Sequence, residues 1–552
     1  MSTVSYNVRP PGTREATHLS RGHSLVAARP FRAGELIATF ADPLLALPDG
    51  PSMRTTCNYC LRVGSGPMGG PLLACAGCKA AVYCDAGCQR AHWKAVHKAE
   101  CKMFARVRAN AGRDWLPTPT RAVAQVLLLL KAGDKAARAA FGEGGTLEGN
   151  VEAFRRDEAV WGDYELQAMA AVVYGGLLES EEMLATARAV LCKIQTNAFN
   201  RLDPDTGMAG IFLDAGLAMI NHSCVPNAFI GFDRRTAMLR AERNIAEGDE
   251  IEISYIDNML PKSVRQEGLR LYHFQCECPR CKNDLDVYHV CATSPVIPLN
   301  TFSLRPDLSW LRDPSINRSK ASSAVIETVY KTCNAPSLSD GGEAATKRRW
   351  KVCKALADAR MWAVEPLPAT LLQATTLCQQ SEETWVYALP LSCFLATECD
   401  PFKFVAPFMP WRIKGVMMIA MLFSETARVT AAGELAKHCS HKKLVEILEK
   451  TDQVSVCEAM LRLVVHYAAI GASESWEVAA KAREMLDEVS KLEGRSKQSS
   501  VLAAWARNPG DAQAGALFHE VILQPIDELA ALAVEIMDDE LWSPGGKAVV
   551  KR

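Results

Sequence analysis

Seven of the chain's 20 cysteines fall between Cys57 and Cys101, and their spacing constrains the fold more than any other feature. The stretch reads CNYC, then CAGC, then YCDAGCQRAHWKAVHKAEC. With His97 the donors form four close pairs: Cys57/Cys60, Cys75/Cys78, Cys84/Cys88 and His97/Cys101. Each pair can hold one edge of a tetrahedron, and zinc takes four nitrogen or sulfur ligands. Eight donors therefore make two structural sites. The first two pairs lie among turn formers (GSGPMGGP), which suits knuckles. The last two flank a helical stretch in which residues four apart share a face. Counting His92 would give nine donors for eight places. His97 pairs with Cys101 at helical spacing, so His92 and Trp93 are assigned to packing.

A second cluster, FQCECPRC, supplies Cys276, Cys278 and Cys281, one donor short of a closed zinc site. Cys224, in the segment INHSCVPN, is the natural fourth. Zinc would then tie that segment to the later cluster. The other nine cysteines, from Cys192 to Cys457, show no ligand spacing and read as core or surface thiols.

Metal binding is preferred over disulfides because the chain reads as intracellular. The N-terminal MSTVSYNVRPPGTREATHLS carries no apolar leader. The longest apolar run, Gly415 to Phe423, is too short for a bilayer, so no membrane partner is expected. A net charge of −1, with 49% hydrophobic and 23% charged residues, gives an ordinary globular mix and no global positive field. At 552 residues the chain exceeds one ordinary core. Seven Lys/Arg against two Asp/Glu from Lys79 to Arg108 leave two readings open: a basic face for an acidic partner or nucleic acid, or the solvated side of a helix.

Hydrophobic periodicity gives the rest of the layout. SRGHSLVAARPFRAGELIATFADPLLAL reads as strand, turn and strand with a glycine at each turn. NAFIGFDRRTAMLRAERNIAEGDEIEISYID alternates like a hairpin followed by a third strand ending at Ile253-Ser254-Tyr255. KSVRQEGLRLYHF predicts a helix entering the later cysteine cluster. LPTPTRAVAQVLLLLKAG and EEMLATARAVLCKIQ predict helices between these regions, and from Glu343 onward apolar residues recur at helical spacing. Strands at both ends of a region, with a finger between them, imply a split domain.

The four cysteine/histidine pairs, in this order, resemble a MYND zinc finger. The resemblance implies cross-bracing: Cys57, Cys60, Cys84 and Cys88 on one zinc, and Cys75, Cys78, His97 and Cys101 on the other. NHSC-x-PN, then EGDEIEISY, then C-x-C-x2-C resembles a SET domain with its post-SET zinc site. From about Leu19 to Lys282 the chain thus resembles the SET-and-MYND protein-lysine methyltransferases. That implies an α+β fold: an N-terminal SET half (1–50), the finger (57–101), a helical insert (103–195), a core SET half (196–257), a zinc-bound post-SET segment (258–282) and a helical, TPR-like C-terminal domain (283–552). No tetratricopeptide signature recurs in the last of these.

The resemblance also implies roles. Tyr255 matches the catalytic tyrosine, and Phe199 and Tyr272 the walls of the lysine channel. Gly22, His23, Asn197, Ala218, Asn221, His222 and Phe274 match contacts to S-adenosylmethionine. Three zinc ions, a protein substrate presenting a lysine on a histone or other protein, a proline-rich or chromatin-associated partner at the finger, a monomeric state, and residence in cytoplasm and nucleus complete the expectation. Ser24 stands where the family has a second glycine, and Thr196 where it has a cysteine before the asparagine. A second reading keeps the same fold as a MYND-and-helix scaffold or transcriptional regulator whose SET fold is catalytically weak.

Overall fold

The computed structural model describes residues 10–18, 21–64, 70–203, 205, 207–313, 322–336, 342–471, 476–509 and 511–541. Leu19 and Ser20, and part of the glycine-rich knuckle segment, lie outside the described residues. The chain divides into two compact units: residues 1–256 with 268–276, and residues 257–267 with 277–552.

The first unit shows the split directly in its strand pairing. N-terminal strands β1 (Thr13–His18) and β2 (Gly22–Ala27) pair antiparallel with each other. The next two, β3 (Leu36–Phe40) and β4 (Leu45–Pro48), find their partners far along the chain. Between them and those partners lie the finger strands β5 (Leu73–Ala74) and β6 (Val82–Tyr83), which pair with each other. Then β4 joins β8 (Gly207–Leu213), which also pairs with β7 (Phe199–Asp203). Two-residue β9 (Asn221–His222) follows, then the hairpin β10 (Ala228–Asp233) and β11 (Thr236–Ala241). β3 adds to the hairpin at β11. The hairpin turn uses Arg234 at φ 52°, a left-handed position where a non-glycine residue is uncommon.

The third strand behaves differently from the expectation. It is only β12 (Glu252–Ile253), and it runs parallel to β9 rather than extending the hairpin. The alternating text could not show this, because its partner is a segment with no alternation of its own.

Helices α1 (Ala86–His92) and α2 (Lys98–Ala111) belong to the finger and are joined by one π-helical turn, Trp93–His97. The insert supplies α3 (Thr118–Ala132), α4 (Lys135–Phe141), α5 (Val151–Arg155), α6 (Glu158–Gly175) and α7 (Glu181–Asn197). The expected borders at 101/103 and 195/196 fall inside α2 and α7, so finger and insert share a continuous helix. They also share a core: Cys57, Cys75 and Tyr83 of the finger pack in one cluster with Met103, Phe104, Val123, Leu127, Val172 and Leu191. A second cluster, with Leu25, Phe31, Phe212, Ile220, Leu239 and Ile253, lies between the strands. Ser24 takes an ordinary strand position opposite Ala16, and its hydroxyl faces the Ala16 carbonyl at 3.4 Å. Thr196 donates to the Cys192 carbonyl one turn back in α7 at 3.0 Å. Neither departure from the family pattern needs glycine or cysteine geometry.

The second unit is helical. Its long helices Pro410–Ala431 and Gln453–Gly471 pack against each other. Gln453–Gly471 is long and apolar enough to cross a membrane by composition, which the contiguous-run criterion passed over because Glu458 and Arg462 interrupt it. In the folded unit 67% of its apolar window is buried. Glu458, fully buried, accepts from Arg462 at 2.7 Å and from the Ser499 hydroxyl at 2.8 Å, the signature of a satisfied core charge.

Candidate functional site

The finger brings its donors together in the cross-braced arrangement. Cys57, Cys60, Cys84 and Cys88 form one group and Cys75, Cys78, His97 and Cys101 another, with the ligand atoms of each within 4.8 Å of one another. Local structure explains both. The Asn58 amide donates to the Val82 carbonyl at 2.8 Å, which lays the first knuckle beside β6 and hence beside Cys84. Asp85 caps α1, accepting from the Cys88 amide at 2.8 Å, and so fixes that ligand on the first turn. Cys60 and Cys84 stand with their sulfurs 3.4 Å apart. The Cys57 thiolate beside it pushes the Cys60 thiol up. Thiols this crowded cannot all ionise without a cation between them, so the donor set fits a dication with soft ligands.

The second group has a supporting layer that spacing did not reveal. His97 faces Cys78 through Nε2 at 3.6 Å, and its Nδ1 lies 3.0 Å from the Glu100 carboxylate. Nδ1–H therefore donates, and Nε2 keeps its lone pair for metal. Glu100 also accepts from Arg121 Nε at 2.6 Å and Gln125 Nε2 at 2.8 Å, both on α3. Burial opposes ionisation of Glu100, but the Arg121 guanidinium and the His97 hydrogen bond hold its carboxyl well below the usual range. The signal was present in the text: Glu100 follows His97 by three residues, one helical turn away. His92 stacks on His97 and bonds the Tyr83 hydroxyl at 3.0 Å, the packing role assigned to it.

The NHSC segment is stitched to β12 by a dense set of bonds. The Ser223 amide donates to the Ile253 carbonyl at 2.9 Å. Asn227 accepts from the Glu252 amide and donates to the Glu250 carbonyl, both at 2.8 Å. The asparagine of the PN pair thus replaces two ladder bonds where the strand has ended. Cys224 lies fully buried with its sulfur 4.0 Å from that of Cys276. Cys278 and Cys281 follow Cys276 by two and five residues in the sequence.

Around this crossing the first unit gathers an aromatic cluster. The Tyr255 ring lies 4.7 Å from Tyr272 and 5.4 Å from His222, centroid to centroid, and Phe274 lies 6.0 Å from His222. Phe199 and Tyr255 both pack against the strand core. The Tyr255 hydroxyl donates to the Ile220 carbonyl at 2.6 Å. Burial pushes both tyrosine hydroxyls up, so they stay protonated near neutrality. Phe274 keeps 40% of its surface exposed, which leaves a face open to a flat ligand.

Of the other expected contacts, Asn221 and the Gly22–His23 segment meet at this crossing, whereas Asn197 bonds elsewhere. Asn221 donates to the His23 carbonyl at 3.1 Å and to Glu250 at 2.8 Å, which joins the crossing to the start of β2. Gly22 has φ 68° and open space where a side chain would begin, so the backbone there is approachable. The neighbouring Arg21, which sequence reading did not single out, bonds the His222 carbonyl at 3.0 Å and pairs with Glu250 and Glu252 at 2.9 Å. Ala218 lies in the 3-10 turn Leu217–Met219 just before β9. Asn197 ends α7 and donates to the Glu148 and Lys193 carbonyls, both at 2.7 Å. Both ring nitrogens of His222 are taken by protein groups: the Tyr255 amide at 3.0 Å and the Cys224 sulfur at 3.3 Å.

Comparison with known proteins agrees with this geometry. Residues 57–101 match the MYND finger family. The chain is 33% identical over 264 residues to SET domain and MYND-type zinc finger protein 6 of Schizosaccharomyces pombe, covering 48% of this chain and 50% of that one. It is 30% identical to Histone-lysine N-methyltransferase ASHR1 of Arabidopsis thaliana, covering 48% and 53%. It is also 30% identical to N-lysine methyltransferase SMYD2-B of Danio rerio, covering 49% and 60%. The matches thus span half to three fifths of those relatives. Over that matched half, the chain carries a MYND finger between two sets of paired strands and is similar to proteins of the SET-and-MYND family.

Proposed function

We propose that the first unit is a protein-lysine N-methyltransferase that uses S-adenosylmethionine. The observation that carries the reading is the aromatic cluster at Tyr255. A protonated hydroxyl, already donating to the Ile220 carbonyl, keeps its oxygen lone pairs for an incoming amine N–H. The Tyr272 ring beside it supplies an apolar wall.

S-adenosylmethionine supplies an activated methyl group to a neutral amine. The open Gly22 backbone, the exposed face of Phe274 and the Asn221 carboxamide fit such a ligand beside this cluster. The protein's own task is to make the lysine neutral and to aim it. At pH 7 deprotonating a free lysine costs about 4–5 kcal/mol. Aromatic walls that exclude water disfavour the ammonium form and reduce that cost. The Tyr255 hydroxyl then fixes the direction of the nitrogen lone pair, a positioning effect. No nucleophilic side chain is needed.

We also infer three zinc ions per chain, two in the finger and one on Cys224, Cys276, Cys278 and Cys281. Incubation of the protein with labelled S-adenosylmethionine and a protein extract tests the activity. Label recovered as methyl-lysine supports the proposal. No label above a boiled control, from protein that keeps its zinc, favours the scaffold reading.

A further inference from the structure

We propose that His222 is a positioning residue that links the zinc ligand Cys224 to the backbone of Tyr255. Three bonds carry the inference. The Tyr255 amide can only donate, so the nitrogen it meets, His222 Nδ1 at 3.0 Å, must carry the lone pair. The ring proton of the neutral tautomer then lies on Nε2. That nitrogen faces the Cys224 sulfur at 3.3 Å, so Nε2–H donates to the sulfur. The third bond is the hydroxyl of the same tyrosine on the carbonyl of Ile220, two residues before the histidine. Tyr255 is thus held at both ends by one three-residue segment: at its amide by His222, at its hydroxyl by Ile220.

The direction of each bond follows from what the groups are. A zinc-bound cysteine is a thiolate, an acceptor with no proton to give. It selects the Nε2–H tautomer, and only that tautomer leaves Nδ1 free to accept from Tyr255. With zinc bound, the Cys224 thiolate would favour the tautomer whose Nδ1 accepts from the Tyr255 amide, and the histidine would in turn tune the ligand, as outer partners of metal ligands do. His222 is 5% exposed and its ring sits 5.4 Å from that of Tyr255. Water therefore competes poorly for either nitrogen. The same geometry explains why a histidine occupies the position: a two-ended side chain of this shape must accept near Cβ and donate at its far end.

The inference rests on the proposed methyl transfer only for the purpose of placing Tyr255. The ring's tautomer and its effect on zinc stand apart from that reading. Two substitutions separate the ends. His222→Asn keeps an acceptor at the Nδ1 position and removes the donor that faces sulfur. His222→Gln keeps a donor near the sulfur and removes the acceptor for the Tyr255 amide.

The test uses the zinc-loaded full chain with isotope-labelled histidine, with the His222 signals assigned by their loss in His222→Asn. The expected spectrum shows a protonated Nε2 and a bare Nδ1. Substituting spin-active cadmium for zinc should then give scalar coupling between the metal and the Nε2 proton across the N–H···S bond. In a chelator competition His222→Asn should lose about 10–100-fold in affinity at the Cys224 site, while His222→Gln loses less than tenfold. Turnover should show the reverse order, with His222→Gln the slower of the two. A proton found on Nδ1, or a His222→Asn protein that holds zinc as tightly as the parent, overturns the proposal. Absence of methyl transfer in the parent protein would remove the proposed function and leave the spectral and zinc results to decide the link by themselves.

Discussion

Replacing Glu100 by glutamine should destabilise the first unit far more than its single atom of difference suggests. Glu100 is fully buried and accepts from His97, Arg121 and Gln125 at 2.6 to 3.0 Å. Arg121 is equally buried, and its guanidinium lies beside this carboxylate. In Glu100→Gln the positive charge stays inside with no counter-charge. Breaking a buried pair in this way costs about 3–5 kcal/mol. The amide also points a donor at one of the donors around it, and the His97 ligand loses a charged partner, which lowers zinc affinity about 10–100-fold. Urea unfolding of the zinc-loaded protein, followed by finger-region tryptophan fluorescence, reads the loss as a lower midpoint at unchanged slope. The partner variant Arg121→Met sharpens the test. If the cost comes from the stranded charge, the double substitution is more stable than Glu100→Gln alone. A loss below about 1 kcal/mol, or a double variant as unstable as the sum of the singles, would refute the reasoning. The pH dependence has a definite sign. Because the folded carboxyl is held below its ordinary value, its contribution is complete above the usual carboxyl range and lost as the pH falls through the folded value. Glu100→Gln should remove that part of the acid sensitivity.

Cys224→Ser should lower the zinc content by one ion while the two finger ions remain, read by elemental analysis; a variant that keeps its full zinc contradicts the ligand assignment. Asn227→Ala removes the acceptor for the Glu252 amide and the donor to the Glu250 carbonyl, and should cost about 1–3 kcal/mol for each group left unpaired inside, read as a fall in the melting temperature of the first unit. An unchanged melting temperature would mean that β9 and β12 hold together without it.

What was readable in the sequence follows from how local each signal is. The finger's donors announce themselves because zinc geometry demands close pairs, and each pair lies within five residues of chain. The cross-brace required the family resemblance, since spacing alone pairs neighbours and the fold pairs first with third. The helices α3 and α7 were visible in their apolar period. The parallel pairing of β9 with β12 was not, because a two-residue strand carries no period. Glu100 was passed over because a glutamate on a basic helix reads as a surface charge until Arg121, on another helix, arrives beside it. His222 was read as a cofactor contact from its place in the motif. Its two bonds, to Tyr255 and Cys224, depend on ring orientation, which no spacing encodes. The helix Gln453–Gly471 escaped the membrane-span reading because buried ion pairs break its apolar run.

The central claim is that Tyr255 aims the accepting amine. Tyr255→Phe keeps the ring against Tyr272 and deletes one oxygen, the one bonded to the Ile220 carbonyl. The measurement is the single-turnover rate of methyl transfer from labelled S-adenosylmethionine, parent against Tyr255→Phe, at saturating cofactor. An interaction made mainly in the transition state lowers this rate without weakening ground-state binding. The account predicts a fall of tenfold or more, about 1.4 kcal/mol for each factor of ten, at unchanged cofactor affinity. An unchanged rate, or a rate restored simply by adding more cofactor, would contradict it.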